Sequence, residues 1–202
     1  MRNILGIVVN GLGKEIVRMF KYKKMLPFPI NLKKKDIKMA KYLITQYGGA
    51  NGELGAALRY FSQKFSMPTD EGRALLNDIA TEEFGHAEMI CVMVHQLLDG
   101  VSKEELEANG LTSTFVENGC GIYPINSNGV PFTVSYFASV GDAVADLAED
   151  MAAEEKARVT YEHLIDIAED PELINILLFL RQREIVHYNR FKKLYEKYKY
   201  ES

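Results

Sequence analysis

The chain has 202 residues, 47% of them hydrophobic and 26% charged, with a formal net charge of −4, which is enough for one domain with a substantial core. No strongly basic block lies beyond the first forty residues, which excludes a nucleic-acid surface as the main function, and no segment reaches the ~18 apolar residues needed to cross a bilayer. Two cysteines, Cys91 and Cys120, make neither a disulfide framework nor a thiolate metal site, and a reducing compartment during synthesis, the cytoplasm, is the simpler reading.

Met1 to Val9 holds one arginine and a short apolar run. Asn10, Lys14, Glu15 and Arg18 interrupt it and no small-residue cleavage site follows, so it does not read as a signal peptide. Residues 1–24 are expected to be an N-terminal extension, either a short amphipathic helix ending in Lys21, Lys23 and Lys24 or a frayed tail, ahead of one domain over residues 25–202. Pro27 and Pro29 break any helix, which makes Met25 to Lys35 an extended lead-in, and Asp36 is placed to cap the next element. From Ile37 the spacing predicts one helix to about Phe65, with Leu43, Tyr47, Leu54, Leu58, Phe61 and Phe65 along its apolar stripe. Gly48, Gly49 and Gly52 fall inside that window at a cost of about 0.5–1 kcal/mol each, which close packing against another backbone beside Glu53 would explain.

Pro68, Thr69 and Asp70 make a turn, and a second helix is expected from Glu71 to Leu98, where Asp99-Gly100 stops it. Its seam runs Leu76, Ile79, Glu83, His86, Ile90, Met93, Leu97. Ser102 and Glu105 have the spacing of a capping box for a short helix, and the Gly, Asn, Ser and Pro of residues 111–133 form a long crossover. A third helix is predicted over Asp142 to Ala168, with Leu147, Met151, Glu154, Arg158, Tyr161 and Ile165 on its stripe. Asp170-Pro171 opens a fourth, with Leu173, Leu177, Leu180, Glu184, His187, Phe191 and Leu194 on one seam to near the C-terminus.

Two of these seams carry Glu-x-x-His where leucine belongs: Glu83 with His86, and, one hundred and one residues later, Glu184 with His187. Each is preceded at thirty residues by a lone glutamate, Glu53 and Glu154. Residues three apart share a helix face, so each pair projects side by side. A lone Glu is usually a solvated surface group, a lone His on an apolar face is usually a satisfied core residue, and one Glu-x-x-His arises by chance. The doubled pattern at matched offsets is different in kind. Four buried carboxylates would erase an ordinary stability of about 5–15 kcal/mol unless something positive compensates them. Two divalent ions supply +4 against the charges of Glu53, Glu83, Glu154 and Glu184, and His86 and His187 add ligands without charge. One Glu from each of two helices and a Glu-x-x-His from each of two others is the ligand set of ferritin-like two-metal bundles, so the expected fold is all-α, a ferritin-like four-helix bundle with a long crossover between two helical hairpins. Glu82 and Glu155 lie off their seams and are read as facing solvent or bracing a ligand. His95 and His163 lack carboxylate partners and are read as ordinary residues. Tyr60, seven residues after Glu53, shares its face, where it can hydrogen-bond a ligand carboxylate or fill the core. Carboxylate and imidazole without thiolate suit manganese or iron.

The chain resembles the manganese catalases, and among them the short manganese catalase-like proteins of bacterial spore coats. The stretches that carry the resemblance are Tyr47-Gly-Gly-Ala-Asn-Gly-Glu53-Leu, Thr81-Glu-Glu-Phe-Gly-His86-Ala-Glu-Met, Gly129-Val-Pro-Phe-Thr133, Ala152-Ala-Glu-Glu-Lys-Ala-Arg158 and Arg181-Gln-Arg-Glu-Ile-Val-His187. They fall within Phe20 to Tyr195, and the family's lead-in begins near Met19. The resemblance implies that Glu53, Glu83 and His86 hold one manganese, that Glu154 and His187 hold the other, and that Glu83 bridges. It makes Glu184 an outer carboxylate that moves protons, where the ferritin-like pattern makes it a ligand. It further implies disproportionation of hydrogen peroxide to water and dioxygen at two manganese ions with Glu184 moving protons, in a homo-oligomer that is also a spore coat component among other coat proteins; Tyr60, placed by its spacing to Glu53, is the other candidate catalytic residue. Some members carry an arginine immediately before the third-helix glutamate, where this chain has Ala153, and the longer enzymes continue past the second histidine, where this chain stops at Ser202. The alternatives are a structural coat protein with a stabilising metal pair and a di-iron oxidase or ferroxidase on the same scaffold.

Overall fold

A computed structural model describes residues 4–9, 15–20, 25–111 and 121–200. Cys120 and part of the crossover, residues 112–120, lie outside them. The N-terminal extension corrects the helix expected there. Strands β1 (Ile4–Val9) and β2 (Glu15–Phe20) pair antiparallel, Ile4 opposite Phe20 and Val9 opposite Glu15. The signal was in the sequence: both runs are rich in β-branched residues, and Asn10, Gly11 and Gly13 fall between them.

The helices that follow are α1 (Ile37–Gly48), α2 (Glu53–Gln63), α3 (Asp70–Leu97), the short α4 (Lys103–Ala108), α5 (Ala143–Ile167) and α6 (Pro171–Tyr200). Their starts are capped as the residue types dictate: Asp36 accepts from Met39 N–H, Thr69 from Gly72, Asp142 from Ala145, and Ser102 and Glu105 close a capping box. α3 and α6 fall within a residue or so of the expected second and fourth helices. No helix among the described residues is long and apolar enough to cross a membrane.

The first predicted helix is two. The chain leaves α1 at Gly49 in an extended conformation and restarts at Glu53, with Gly52 as its cap residue. A Cβ on Gly52 would stand 2.8 Å from the carbonyl oxygens of Thr45 and Gln46, and one on Gly48 would stand 2.2 Å from the backbone of Pro124 and Ile125 in the crossover, so both positions demand glycine. The break also resets the helical phase. The stripe expected through Phe61 and Phe65 therefore fails: they are 42% and 75% exposed, and Ala57, Tyr60 and Gln63 turn inward instead.

α1 and α2 together make one rod of a four-rod bundle, α3 the second, α5 and α6 the third and fourth. Two apolar cores fill it. One gathers Leu43, Met89, Ile90, Met93, Leu97, Leu164, Leu177 and Leu180, the other Tyr60, Leu76, Ile79, Leu147, Phe191 and Leu194. On α3 the switch from one core to the other falls between Ala80 and Met89, and on α6 between Leu180 and Phe191. Glu83, His86, Glu184 and His187 occupy those gaps, a polar layer between two greasy ones.

Candidate metal centre

Glu53, Glu83, Glu154, Glu184, His86 and His187 are all at most 2% exposed. Each reaches the centre from a different turn. Glu53 is the first residue of α2, where the positive end of the helix dipole favours a carboxylate. Glu83 and His86 lie one turn apart on α3, Glu184 and His187 one turn apart on α6, and Glu154 stands midway along α5.

Glu83 sits in the middle. Its Oε2 is 2.8 Å from His86 Nδ1 and its Oε1 is 2.7 Å from His187 Nδ1. His86 Nδ1 is also 3.7 Å from Glu53 Oε2 and 3.8 Å from Glu184 Oε1, and His187 Nδ1 is 3.6 Å from Glu154 Oε2. Two donor groups result, Glu53–Glu83–His86–Glu184 and Glu83–Glu154–Glu184–His187, the ligand atoms of each lying within 4.8 Å of one another. A divalent ion with bonds of about 2.1 Å spans such a group. Glu83 and Glu184 belong to both.

The fit to a cation is visible in what the donors lack. Glu83 Oε1, Glu154 Oε2, Glu184 Oε1 and His187 Nδ1 are buried without hydrogen-bond partners. Glu83 Oε1 and His187 Nδ1 approach to 2.7 Å but are not aligned as a hydrogen bond. Lone pairs crowded in this way are favourable only around positive charge.

Protons supply that charge when no metal does. Burial, then the neighbouring Glu83, pushes Glu53 up to about 8, and burial followed by Glu83, Glu53 and Glu154 pushes Glu184 well above the carboxylate range. Burial would raise Glu83 too, but the two imidazoles draw it well below its ordinary value. Burial would lower both imidazoles; Glu83 foremost, with Glu82 and the nearer of Glu53 or Glu154, raises them far above theirs. Cations arriving at this centre displace protons.

Around the donors stands a brace with near two-fold symmetry. Tyr60 on α2 donates to Glu154 Oε1 on α5 at 2.6 Å, and Tyr161 on α5 donates to Glu53 Oε1 on α2. Glu82 lies beneath both imidazoles, its Oε2 3.1 Å from His187 Nε2 and its Oε1 3.5 Å from His86 Nε2, and Arg183 grips it with Nε at 2.5 Å and Nη2 at 3.2 Å. One carboxylate thus faces the outer nitrogen of both rings and leaves each Nδ1 for the centre.

A family model described as manganese containing catalase matches residues 19–202. The chain belongs to the manganese catalase family. It is 50% identical over 178 residues to the protein CotJC of Bacillus subtilis, covering 88% of this chain and 94% of that one. It is 36% identical to a probable manganese catalase of Clostridium acetobutylicum, covering 91% and 82%. Among solved structures it is similar to KatB, a manganese catalase from Anabaena, with a TM-score of 0.80 at 36% identity over 89% of this chain and 80% of that one.

The six residues chosen from the sequence of this manganese catalase family member thus come together at one centre, and Tyr60 touches one of them. Of the two acidic residues read as outside it, Glu155 pairs with Arg158, whereas Glu82 reaches both imidazoles. His95 and His163 are exposed. Sequence reading placed Tyr161 on the core stripe and missed its role, although it repeats Tyr60 at the same one-hundred-and-one-residue offset as the ligand pairs. Arg183 repeats the position of Glu82 with opposite charge and was legible by the same rule.

Proposed function

We propose that this chain is a dimanganese catalase that converts two molecules of hydrogen peroxide to two of water and one of dioxygen. The observation that carries the reading is Glu83, whose two oxygens each lie against one imidazole Nδ1 and so offer one bridge to two ions. Glu53, Glu83 and His86 would hold one ion, and Glu83, Glu154 and His187 the other, with Glu184 beside both. Two manganese ions, each changing by one electron, supply the two-electron exchange with peroxide. The protein's own share is placement and proton handling. Tyr60 and Tyr161 fix the carboxylates of Glu154 and Glu53, and Glu82 sets its charge against the outer nitrogen of both rings. Glu184, buried with Oε1 unpartnered, can hold a proton there and pass it to a peroxide oxygen in one half-reaction, then take one back in the other.

The place of work we propose is the spore coat, after synthesis in the cytoplasm. The likeness to CotJC over 94% of its length supports this, together with the resemblance to short catalase-like coat proteins. A homo-oligomer is part of the reading: Phe61 and Phe65, 42% and 75% exposed, sit on adjoining turns with Lys64 over their rings. The same likeness favours one second reading, a coat component in which the metal pair braces the bundle. Oxygen evolution from peroxide by the manganese-loaded protein separates the two, since full occupancy without oxygen rejects the catalase. Elemental analysis after expression with balanced manganese and iron decides between manganese and a di-iron oxidase or ferroxidase.

A further inference from the structure

Beside the six donors, between α2 and α5, is a cavity of about 10 Å3, room for one water molecule. Glu53, Glu154 and Glu184 form its acidic wall, and Arg59 is the one cationic side chain lining it among the described residues. Tyr60 also lines it, but its hydroxyl is committed to Glu154.

Arg59 is 3% exposed, and a buried guanidinium normally uses its hydrogens. Here Nη2 donates to the Tyr136 carbonyl at 3.2 Å, while Nε and Nη1 are buried without a partner. One turn along α2, Gln63 is 2% exposed with both amide atoms unpartnered, and across on α5 Asp150 is fully buried with both oxygens unpartnered. Native proteins leave few such atoms, and those they leave mark an unseen water, ion or ligand. Burial pushes the Asp150 carboxyl well above the usual carboxylate range against the pull of Arg59, so it leaves the guanidinium's charge open to another acceptor, and the Tyr136 carbonyl holds Nη2. The three carboxylates of the wall accept hydrogen bonds and, when ionised, donate none, and the other polar lining residue, Asn51, is exposed to solvent.

We propose that Arg59 receives one oxygen of hydrogen peroxide in this cavity, its Nε and Nη1 hydrogens donating to that oxygen beside Glu154 and Glu184 while the Tyr136 carbonyl holds Nη2. The assignment rests on the reading of the neighbouring carboxylates and imidazoles as a metal pair. Azide, a small acceptor of the same hydrogen bonds, is the probe of binding apart from turnover.

The test compares wild type with Arg59→Gln and Arg59→Lys, all loaded with manganese and all assayed for metal content. KM and kcat come from oxygen release, and the azide Kd from an optical or paramagnetic-resonance titration. In Arg59→Gln the manganese content is expected to stay full while KM for peroxide and Kd for azide each rise about tenfold, with kcat changed far less. Arg59→Lys, which keeps a cationic donor, should recover part of the azide affinity. A purely structural Arg59 would lower thermal stability and leave azide alone. Unchanged KM and unchanged azide Kd in fully loaded Arg59→Gln overturn the assignment. Wild type that binds manganese and azide without releasing oxygen defeats the catalase reading, and the azide comparison then decides Arg59 by itself. Wild type that takes up no metal defeats both. Where Arg59→Gln does not fold, Arg59→Lys carries the test by itself: azide Kd and KM should each rise severalfold because one point donor replaces the fork, and values equal to wild type count against the proposal.

Discussion

Tyr161 donates its hydroxyl to Glu53, one hundred and eight residues earlier in the chain, and Tyr60 returns the favour from the helix of Glu53 to Glu154. Each tyrosine lies seven residues after the glutamate of its own helix and serves the glutamate of the other. The two lone carboxylates of the centre are thereby locked across the bundle, hairpin to hairpin. Tyr161→Phe keeps the ring and removes the donor, leaving a buried carboxylate oxygen without its partner. Unfolding titrations should register a loss of about 1–3 kcal/mol, and Tyr60→Phe a similar one. Full stability in both variants would mean that the crossed bonds are ornamental.

Glu82 answers to both imidazoles and to Arg183, so Glu82→Gln should loosen both rings at once. Manganese affinity is expected to fall by roughly 10–100-fold while helix content is retained. A direct metal titration checks this, and affinity within twofold of wild type would mean that ring orientation is set by packing alone.

Glu83→Ala removes the carboxylate that touches both histidines. Both ions should be lost together, and the thermal midpoint should fall to that of chelator-treated wild type, because the binding energy of the ions is part of the folding energy. Retention of one ion per chain would refute a shared ligand.

The metal-free centre has a pH signature. Glu53 is raised from 4.5 to about 8, first by burial and then by Glu83, so its contribution to stability is complete below 4.5 and is lost as pH climbs toward 8. His86, also raised, contributes in the same direction, whereas Glu83 is lowered and loses its contribution only as pH falls below its ordinary range. Bound cations take the place of the displaced protons. The gap in Tm between manganese-loaded and chelator-treated protein should therefore widen steadily between about pH 5 and pH 8. A constant gap would show that the two forms carry the same protons.

Gly48→Ala probes the seat of the crossover. The new Cβ would fall 2.2 Å from the backbone of Pro124 and Ile125, where neither side is a flexible side chain. A loss of about 1–3 kcal/mol is expected, with metal affinity weakened through the adjoining start of α2. Wild-type stability would indicate that the crossover shifts freely.

The sequence by itself determined the four rods, the caps at Asp36 and Ser102, the two interrupted seams and the six residues of the centre, because helix periodicity and fixed offsets are written in residue spacing alone. Even the braces Tyr161 and Arg183 stood at the repeat offset of Tyr60 and Glu82. Only the tertiary structure decided that the first rod breaks at Gly49, where the backbone of Pro124 and Ile125, far away in sequence, lies too close to Gly48 for a side chain, and the stripe extrapolated through Phe61 and Phe65 failed with that break. It also decided that Glu82, off its seam by position, turns beneath both imidazoles, and that Arg59 and Asp150 are buried together. Spacing along one helix fixes which face a residue occupies. What stands opposite that face depends on how separate helices pack, and no single stretch of chain contains that information.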